Sequence, residues 1–224
     1  MAYKITIDGP AGTGKGTLAR NIASEFNITN VDSGALYRSL GLYAIRNSLN
    51  VEDEAVIESA LKNINIELKE INKGEALKPH IDGEDVSMYI RTEEVAKVTS
   101  TLAKYKCVRE YMAEKQRAVA ENRNIVMEGR DIGSVVFPNA ELKIFLTATV
   151  EERAKRRYNE MIEKGIDVSY EQVREKIINR DLSDSSRKIS PLVQTEDMVK
   201  IDSTNMTKEE VMDTVRELIK RRLV

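Results

Sequence analysis

The sequence predicts an α/β fold: a doubly wound, parallel, five-stranded sheet of the phosphate-loop (P-loop) type, carrying a small antiparallel β insert and a short lid. Three observations predict it. A strand, a glycine-rich loop and a helix follow one another at the N-terminus. Short apolar runs at residues 5–7, 125–127, 142–146 and 199–201, with a weaker one at 28–31, are each separated by helix-like sequence, the pattern of buried parallel strands. An alternating segment at residues 64–71 interrupts that pattern mid-chain.

Residues 3–8 read as the first strand, with Ile5 and Ile7 buried, and residues 18–26 as the helix after the loop. Between them stands Gly9-Pro10-Ala11-Gly12-Thr13-Gly14-Lys15-Gly16-Thr17. Glycines let successive backbone N–H groups turn inward around an anion. The helix N-terminus adds its dipole and unpaired donors. Lys15 supplies a mobile charge for the outer phosphates, and Thr17 a hydroxyl for Mg²⁺. The common pattern is G-x-x-x-x-G-K-S/T. Here Gly16 follows Lys15 and the hydroxyl stands one place later, a variant similar to that of nucleoside monophosphate kinases.

Asp32-Ser33-Gly34-Ala35-Leu36-Tyr37-Arg38 follows the second strand. Ligands of open α/β sheets bind beyond the C-terminal strand ends. Ser33-Gly34 would start a helix there, and Arg38, one turn on, could reach an anion held at that end. The plainer reading is a cap with a surface arginine.

In the middle, residues 64–71 alternate, Asn72-Lys73-Gly74 turns the chain, and an extended run at 76–81 ends at Asp82-Gly83. This is antiparallel hairpin sequence, and the insert is bounded at about 62–91. Asn72-Lys73-Gly74-Glu75 comes close to the guanine-reading N-K-x-D. It ends in Glu, sits at a hairpin turn, and the chain has no D-x-x-G, so it reads as a turn. Glycines 12, 14 and 16 lack the G-x-G-x-x-G spacing of a dinucleotide site.

Glu128-Gly129-Arg130-Asp131-Ile132-Gly133 directly follows the strand at 125–127. An acid and a base at the mouth of a central strand can reach a ligand beside the phosphate loop, or pair with each other in a tight turn. Capping boxes Thr149-x-x-Glu152, Ser169-x-x-Gln172 and Thr207-x-x-Glu210 open helices, and Gly165 ends the first of them. Arg153, Arg156 and Arg157 share a helical face by their 3 and 4 spacing. Arg180 and Arg187 flank the polar stretch 181–186, read as lying between two helical segments, like a short mobile lid that closes over phosphates. Interleaved acids equally suit a solvated, salt-bridged face.

Composition narrows the function classes. At 224 residues the chain can bury a full core in one domain. With 35 basic and 37 acidic residues, nucleic-acid and membrane-surface roles are not favoured, and any anion must be met by a local arginine cluster. A single cysteine, Cys107, excludes an intrachain disulfide and any multi-cysteine metal site, and fits a reducing, cytoplasmic compartment. A single histidine, His80, cannot build a His-based metal centre. No signal peptide or bilayer-spanning run is visible. No interface stripe stands out, so a monomer is expected.

Phosphoryl transfer explains this inventory, because its transition state needs charge neutralisation and alignment more than covalent help. A phosphate acceptor, with a second pKa of about 6, needs no general base. A hydroxyl acceptor would need a carboxylate, and Asp32 or Asp131 could serve, so the residues alone leave both open. An ATP-binding regulator without turnover is the reading from another class. Intact Lys15, Thr17 and the lid arginines weigh against it.

With these residues in view, the chain is similar to the bacterial cytidylate kinase (CMP kinase) family along nearly its whole length. The carrying segments are Ile7-Asp8-Gly9-Pro10, Gly14-Lys15-Gly16-Thr17, Asp32 to Arg38, Gly83-Glu84-Asp85-Val86-Ser87, Ile90-Arg91-Thr92-Glu93-Glu94-Val95, Gly129-Arg130-Asp131, Val136-Phe137-Pro138 and Ser190-Pro191-Leu192. The combination of D-S-G-A-x-Y-R, I-R-T-x-E-V and G-R-D-x-G is far more specific than the loop. The resemblance implies one domain: a core of about 1–61, 92–149 and 191–224, a monophosphate-binding insert at 62–91 and a lid region at 150–190. It implies Mg²⁺-assisted, in-line transfer of the γ-phosphoryl group of ATP to CMP or dCMP. Residues 9–17 would hold ATP, with Thr17 toward Mg²⁺. Lys15, Arg130, Arg153 and Arg157 would act on the transferred group. Ser100, Arg109, Asp131 and Arg187 would meet the cytosine, Ser33, Arg180 and Asp184 the sugar, and Arg38 and Arg130 the acceptor phosphate. A monophosphate kinase with another acceptor base, such as adenylate kinase, is the alternative. The G-R-D and D-S-G-A-x-Y-R pair fits the cytidylate pattern better.

Overall fold

The apolar runs fold into two separate sheets in this computed structural model, which describes residues 2–71 and 76–223. The turn assigned to Asn72-Lys73-Gly74-Glu75 lies outside the described residues. The chain begins with β1 (Lys4–Asp8), α1 (Lys15–Phe26), β2 (Thr29–Asp32), α2 (Ser33–Arg46) and α3 (Glu54–Leu61). Then come β3 (Ile66–Lys69), β4 (Lys78–Ile81), β5 (Glu84–Asp85), α4 (Glu93–Leu102) and α5 (Lys106–Val119). The remainder is β6 (Ile125–Gly129), a π-helical turn (Ile132–Val136), β7 (Leu142–Thr147), α6 (Val150–Glu163), α7 (Tyr170–Ser185), β8 (Val199–Asp202) and α8 (Lys208–Leu223).

The larger sheet has five strands in the order β2-β6-β1-β7-β8. β1 and β7 run parallel, with Ile5 opposite Leu142 and Ile7 opposite Ile144. β7 and β8 are also parallel, with Leu146 opposite Ile201. The smaller sheet is antiparallel, in the order β3-β4-β5, with Ile66 opposite Ile81 and Leu68 opposite Pro79. Its alternation buries Ile66 and Leu68 while Glu67 and Lys69 stay partly solvated. β5 was not legible in the sequence, since two residues are too few to alternate.

The chain divides into two compact units. In the first, Tyr3–Ile28 with Val126–Val224, α1 and α8 close over β1, β7 and β8 through Leu18, Ile22, Val215 and Ile219. Arg216 of α8 grips both carboxylate oxygens of Glu25 on α1, at 2.7 and 2.9 Å. A satellite cluster of Ala154, Met161, Val173 and Ile177 joins α6 to α7, with Tyr158 and Tyr170 packed edge to face. In the second unit, Thr29–Ile125, α2 meets α4 at Gly41, where a Cβ would stand 2.5 Å from Thr99 Oγ1. The Tyr111 hydroxyl donates to Ile64 O (2.9 Å) and accepts from Ile66 N–H (3.2 Å), pinning β3 to α5.

The helix ends qualify the capping expectations. Ser169 and Gln172 form a reciprocal box, as do Thr207 and Glu210. Thr149 is only half of one: it accepts from Glu152 N–H, but the Glu152 carboxylate turns to Arg156 at 2.8 Å. Gly165, at φ +71°, ends α6 in a Schellman motif, with Ile166 N–H on Met161 O and Gly165 N–H on Ile162 O. The polar stretch expected to break the helix at 181–186 instead continues α7 through Ser185. Its acids, Asp181 and Asp184, are paired with arginines, so their polarity does not mark a loop. Among the described residues no helix is long and apolar enough to cross a membrane.

Candidate active site

In the first unit the loop begins where β1 ends. Gly9 has φ +149°, and a Cβ there would lie 2.0 Å from Leu146 O, so only glycine passes this point. α1 starts at Lys15, three residues before the expected start, which puts the lysine at the first helical position. At Gly16, the departure from the common pattern, a Cβ would meet Arg20 Nη1 and Glu128 Oε1 at 3.5 Å, ordinary contact. Sterics therefore do not demand that glycine.

Lys15 is only 5 % exposed and folds back over the loop, its Nζ donating to Pro10 O at 2.7 Å and Thr13 Oγ1 at 3.4 Å. Burial, then the charges of Arg130 and Arg180, push its ammonium well below the ordinary lysine range, while Glu128 and Asp8 oppose them. Thr17 Oγ1 accepts from Arg20 Nη2 at 3.1 Å. Among the described residues there is no cluster of three or more His, Cys, Asp or Glu able to hold a metal. A lone hydroxyl beside a phosphate loop suits Mg²⁺, which keeps several waters and takes phosphate oxygens.

Within the G-R-D segment Arg130 also reaches beyond the turn. Arg130 Nε donates to Asp184 Oδ2 at 2.7 Å, and Arg187 takes the other oxygen of the same carboxylate. Asp184 is buried. Asp131 is buried beside Asp8, whose side chain accepts from Ile132 N–H (2.8 Å) and Gly133 N–H (2.7 Å). Burial pushes the Asp8 carboxyl up to about 6. Asp8 was given no role in the sequence; its signals were a carboxylate between a buried strand and the loop, and its place in the Ile7-Asp8-Gly9-Pro10 segment.

The three arginines of α6 diverge. Arg153 is buried, with Nε on Ala148 O and Nη1 on both Ala11 O (3.0 Å) and Asp181 Oδ2 (2.6 Å), so it joins the phosphate loop to α7. Arg156 turns to Glu152 and Ser203. Arg157 is exposed and pairs with Glu160 at 2.7 Å. Arg180 is exposed, its charge acting on Lys15.

In the second unit Asp32 caps α2, accepting from Ala35 N–H at 3.1 Å, and its other oxygen accepts from Arg38 (2.7 Å) and Arg91 (3.2 Å). The anion that Arg38 reaches at this helix start is thus the chain's own carboxylate. A Cβ on Gly34 would stand 3.0 Å from Arg38 Nη1, so the glycine clears the path. Ser33 is buried at the first position of α2. Arg109 is buried, with Nε on Ala103 O at 2.8 Å and its guanidinium 5.9 Å from the Tyr37 ring. Ser100 Oγ donates to Ala96 O at 3.0 Å within α4.

Comparison with known proteins gives consistent matches. A family model described as "Cytidylate kinase" matches residues 5–221. A cytidylate kinase of Fusobacterium nucleatum is 43 % identical over 217 residues, 97 % of each chain. One from a Geobacillus species is 45 % identical over 220 residues, 98 % of this chain and 97 % of its own. The solved structure of an uncharacterized Eubacterium ventriosum protein is similar with a TM-score of 0.50 at 13 % identity, covering 98 % of this chain and 99 % of that one, a likeness of fold alone.

Proposed function

The chain belongs to the cytidylate kinase family, and from that premise we propose that it transfers the γ-phosphoryl group of ATP to CMP or dCMP, giving ADP and CDP or dCDP. One observation supports the reading: Lys15 of the phosphate loop shares its electrostatic surroundings with Arg130 and Arg180, which the reading assigns to the acceptor. Positive charge concentrated between two phosphates is what in-line transfer requires.

The roles divide as follows. Residues 9–17 hold ATP and Lys15 meets its outer phosphates. Thr17 would hold Mg²⁺, which would supply charge neutralisation on the polyphosphate. Arg38 and Arg130 hold the acceptor phosphate, which binds in exchange for the carboxylates now pairing with those arginines. Ser33, Arg180 and Asp184 meet the sugar, and Ser100, Arg109, Asp131 and Arg187 the cytosine. Arg153 holds the loop at Ala11, and Arg157 reaches the transferred group when the lid closes. The domain reading stands with this: a core of about 1–61, 92–149 and 191–224, the 62–91 insert around the monophosphate, and a lid over 150–190. The protein works as a cytoplasmic monomer on free nucleotides, without nucleic acid or membrane, a reading supported by its net charge of −2.

The test is ADP formation from ATP and Mg²⁺ with CMP, dCMP, UMP, AMP and GMP in turn. Turnover is expected to concentrate on CMP and dCMP. Preference for another monophosphate overturns the base assignments, and no turnover with any overturns the kinase reading. Asp131 supplies the specificity: a carboxylate accepts from the cytosine amine and repels the uracil carbonyl. Asp131→Asn is expected to lower the CMP/UMP ratio of kcat/KM by about 10²-fold, since an amide can face either base. An unchanged ratio sinks that role.

A further inference from the structure

We propose that Asp8 is a positioning residue: by holding the π-helical turn Ile132–Val136 from below, it sets the presentation of Arg130 and Asp131 to the acceptor nucleotide. This rests on the kinase reading above. Its two carboxylate oxygens each accept a backbone N–H at the start of that turn, from Ile132 at 2.8 Å and Gly133 at 2.7 Å. Those amides belong to the first turn of the helical segment, where no intrahelical partner exists. The bond spans 124 residues of sequence, so it anchors the acceptor-reading segment to the strand that feeds the phosphate loop. Contact is tight: a Cβ on Gly133 would lie 2.6 Å from Thr6 Oγ1 and 3.3 Å from Asp8 Oδ2. Arg130 and Asp131 immediately precede the turn, so its angle is theirs. π-helical turns concentrate at functional sites.

Stability alone does not explain a carboxylate here. Asp8 is fully buried, and burial is the largest cause of its raised pKa, with Asp131 adding to it and Lys15 opposing it. An acid whose folded pKa stands at about 6, above its ordinary 3.8, is most favourable to the fold below that ordinary value, and the advantage is lost as pH rises through about 6. At neutral pH the ionised group is held against a cost. What it provides is two acceptors on one rigid side chain for two consecutive amides. Asparagine offers a single oxygen, and its amide group would face an N–H with another N–H.

The experiment is steady-state kinetics of Asp8→Asn against the parent. The KM for CMP is expected to rise, and the CMP/UMP ratio of kcat/KM to fall, each by about tenfold to a hundredfold, with the KM for ATP within about threefold. Near-UV circular dichroism checks the fold. Unchanged CMP parameters, or equal rises in both KM values, overturn the proposal. Should the variant not fold, the parent carries the test. Its Ile132 and Gly133 amide resonances are expected to titrate together near pH 6. Over the same range the CMP/UMP affinity ratio falls as pH drops, and in that ratio the acceptor phosphate's own ionisation cancels. Amides that do not move, or a constant ratio, overturn it. A parent without CMP turnover defeats the kinase reading instead, and the amide titration reports separately on the anchor.

Discussion

Lys15→Met is expected to lower kcat by about 10³-fold, roughly 4 kcal/mol of transition-state stabilisation, while the protein stays folded. Methionine keeps the unbranched stem that fills the buried site and removes only the ammonium. That ammonium folds back across the loop to Pro10 O, which also accepts from the Thr13 hydroxyl. In the proposed mechanism its loss removes a positive charge from beside the transferred group. Stability should move little. Arg130 and Arg180 repel the lysine, and burial penalises its charge, so its folded pKa lies below the ordinary 10.5. A base depressed in this way costs the fold while it is charged, and the parent gains stability as pH rises toward that ordinary value. The variant should lack this alkaline gain and match or exceed the parent near pH 7. Kinetics with thermal melts from pH 7 to 10 check both halves. Near-normal turnover in a folded variant rules out the phosphate-loop assignment.

Local chemistry was legible in the sequence, and long-range chemistry was not. The phosphate loop, the Ser169 cap and the apolar strands are patterns of neighbouring residues, and each stands where the spacing put it. The alternation of residues 64–71 gave the insert for the same reason. Misreadings arose where a partner lies far along the chain. Asp8 looks like a strand end until the Ile132 and Gly133 amides reach it. The segment 181–186 reads as a polar loop because its partners, Arg153 and Arg130, lie about 30 and 50 residues away. Helical spacing placed Arg153, Arg156 and Arg157 together, but their long side chains leave the helix in different directions, to Ala11, Ser203 and Glu160. Arg91 shares Asp32 with Arg38, a pairing across 59 residues that no motif announced.

Asp184→Ala should be the most destabilising of the charge deletions considered. Asp184 is 5 % exposed at its side chain, and it neutralises Arg130 and Arg187, themselves 16 % and 11 % exposed. Removing it takes from two guanidinium groups the carboxylate they share, and leaves Arg130, whose charge already bears on Lys15, less neutralised. Breaking a buried pair costs about 3–5 kcal/mol, mostly through the charge left behind. For a chain of this length that corresponds to a fall in Tm of about 6–20 °C. The cause can be separated from lost packing. If stranded charge is responsible, an anion that enters the vacated place should restore part of the loss. Phosphate or sulfate would then raise the Tm of Asp184→Ala more than that of the parent, where the carboxylate competes for the same arginines. Asp184→Asn keeps the volume and the hydrogen-bonding oxygen but not the charge, and should show the same anion dependence with a smaller initial loss. Equal anion-induced shifts in parent and variants would mean that Arg130 and Arg187 are not released by the substitution, and the exchange of carboxylate for substrate phosphate on Arg130 would fall with it.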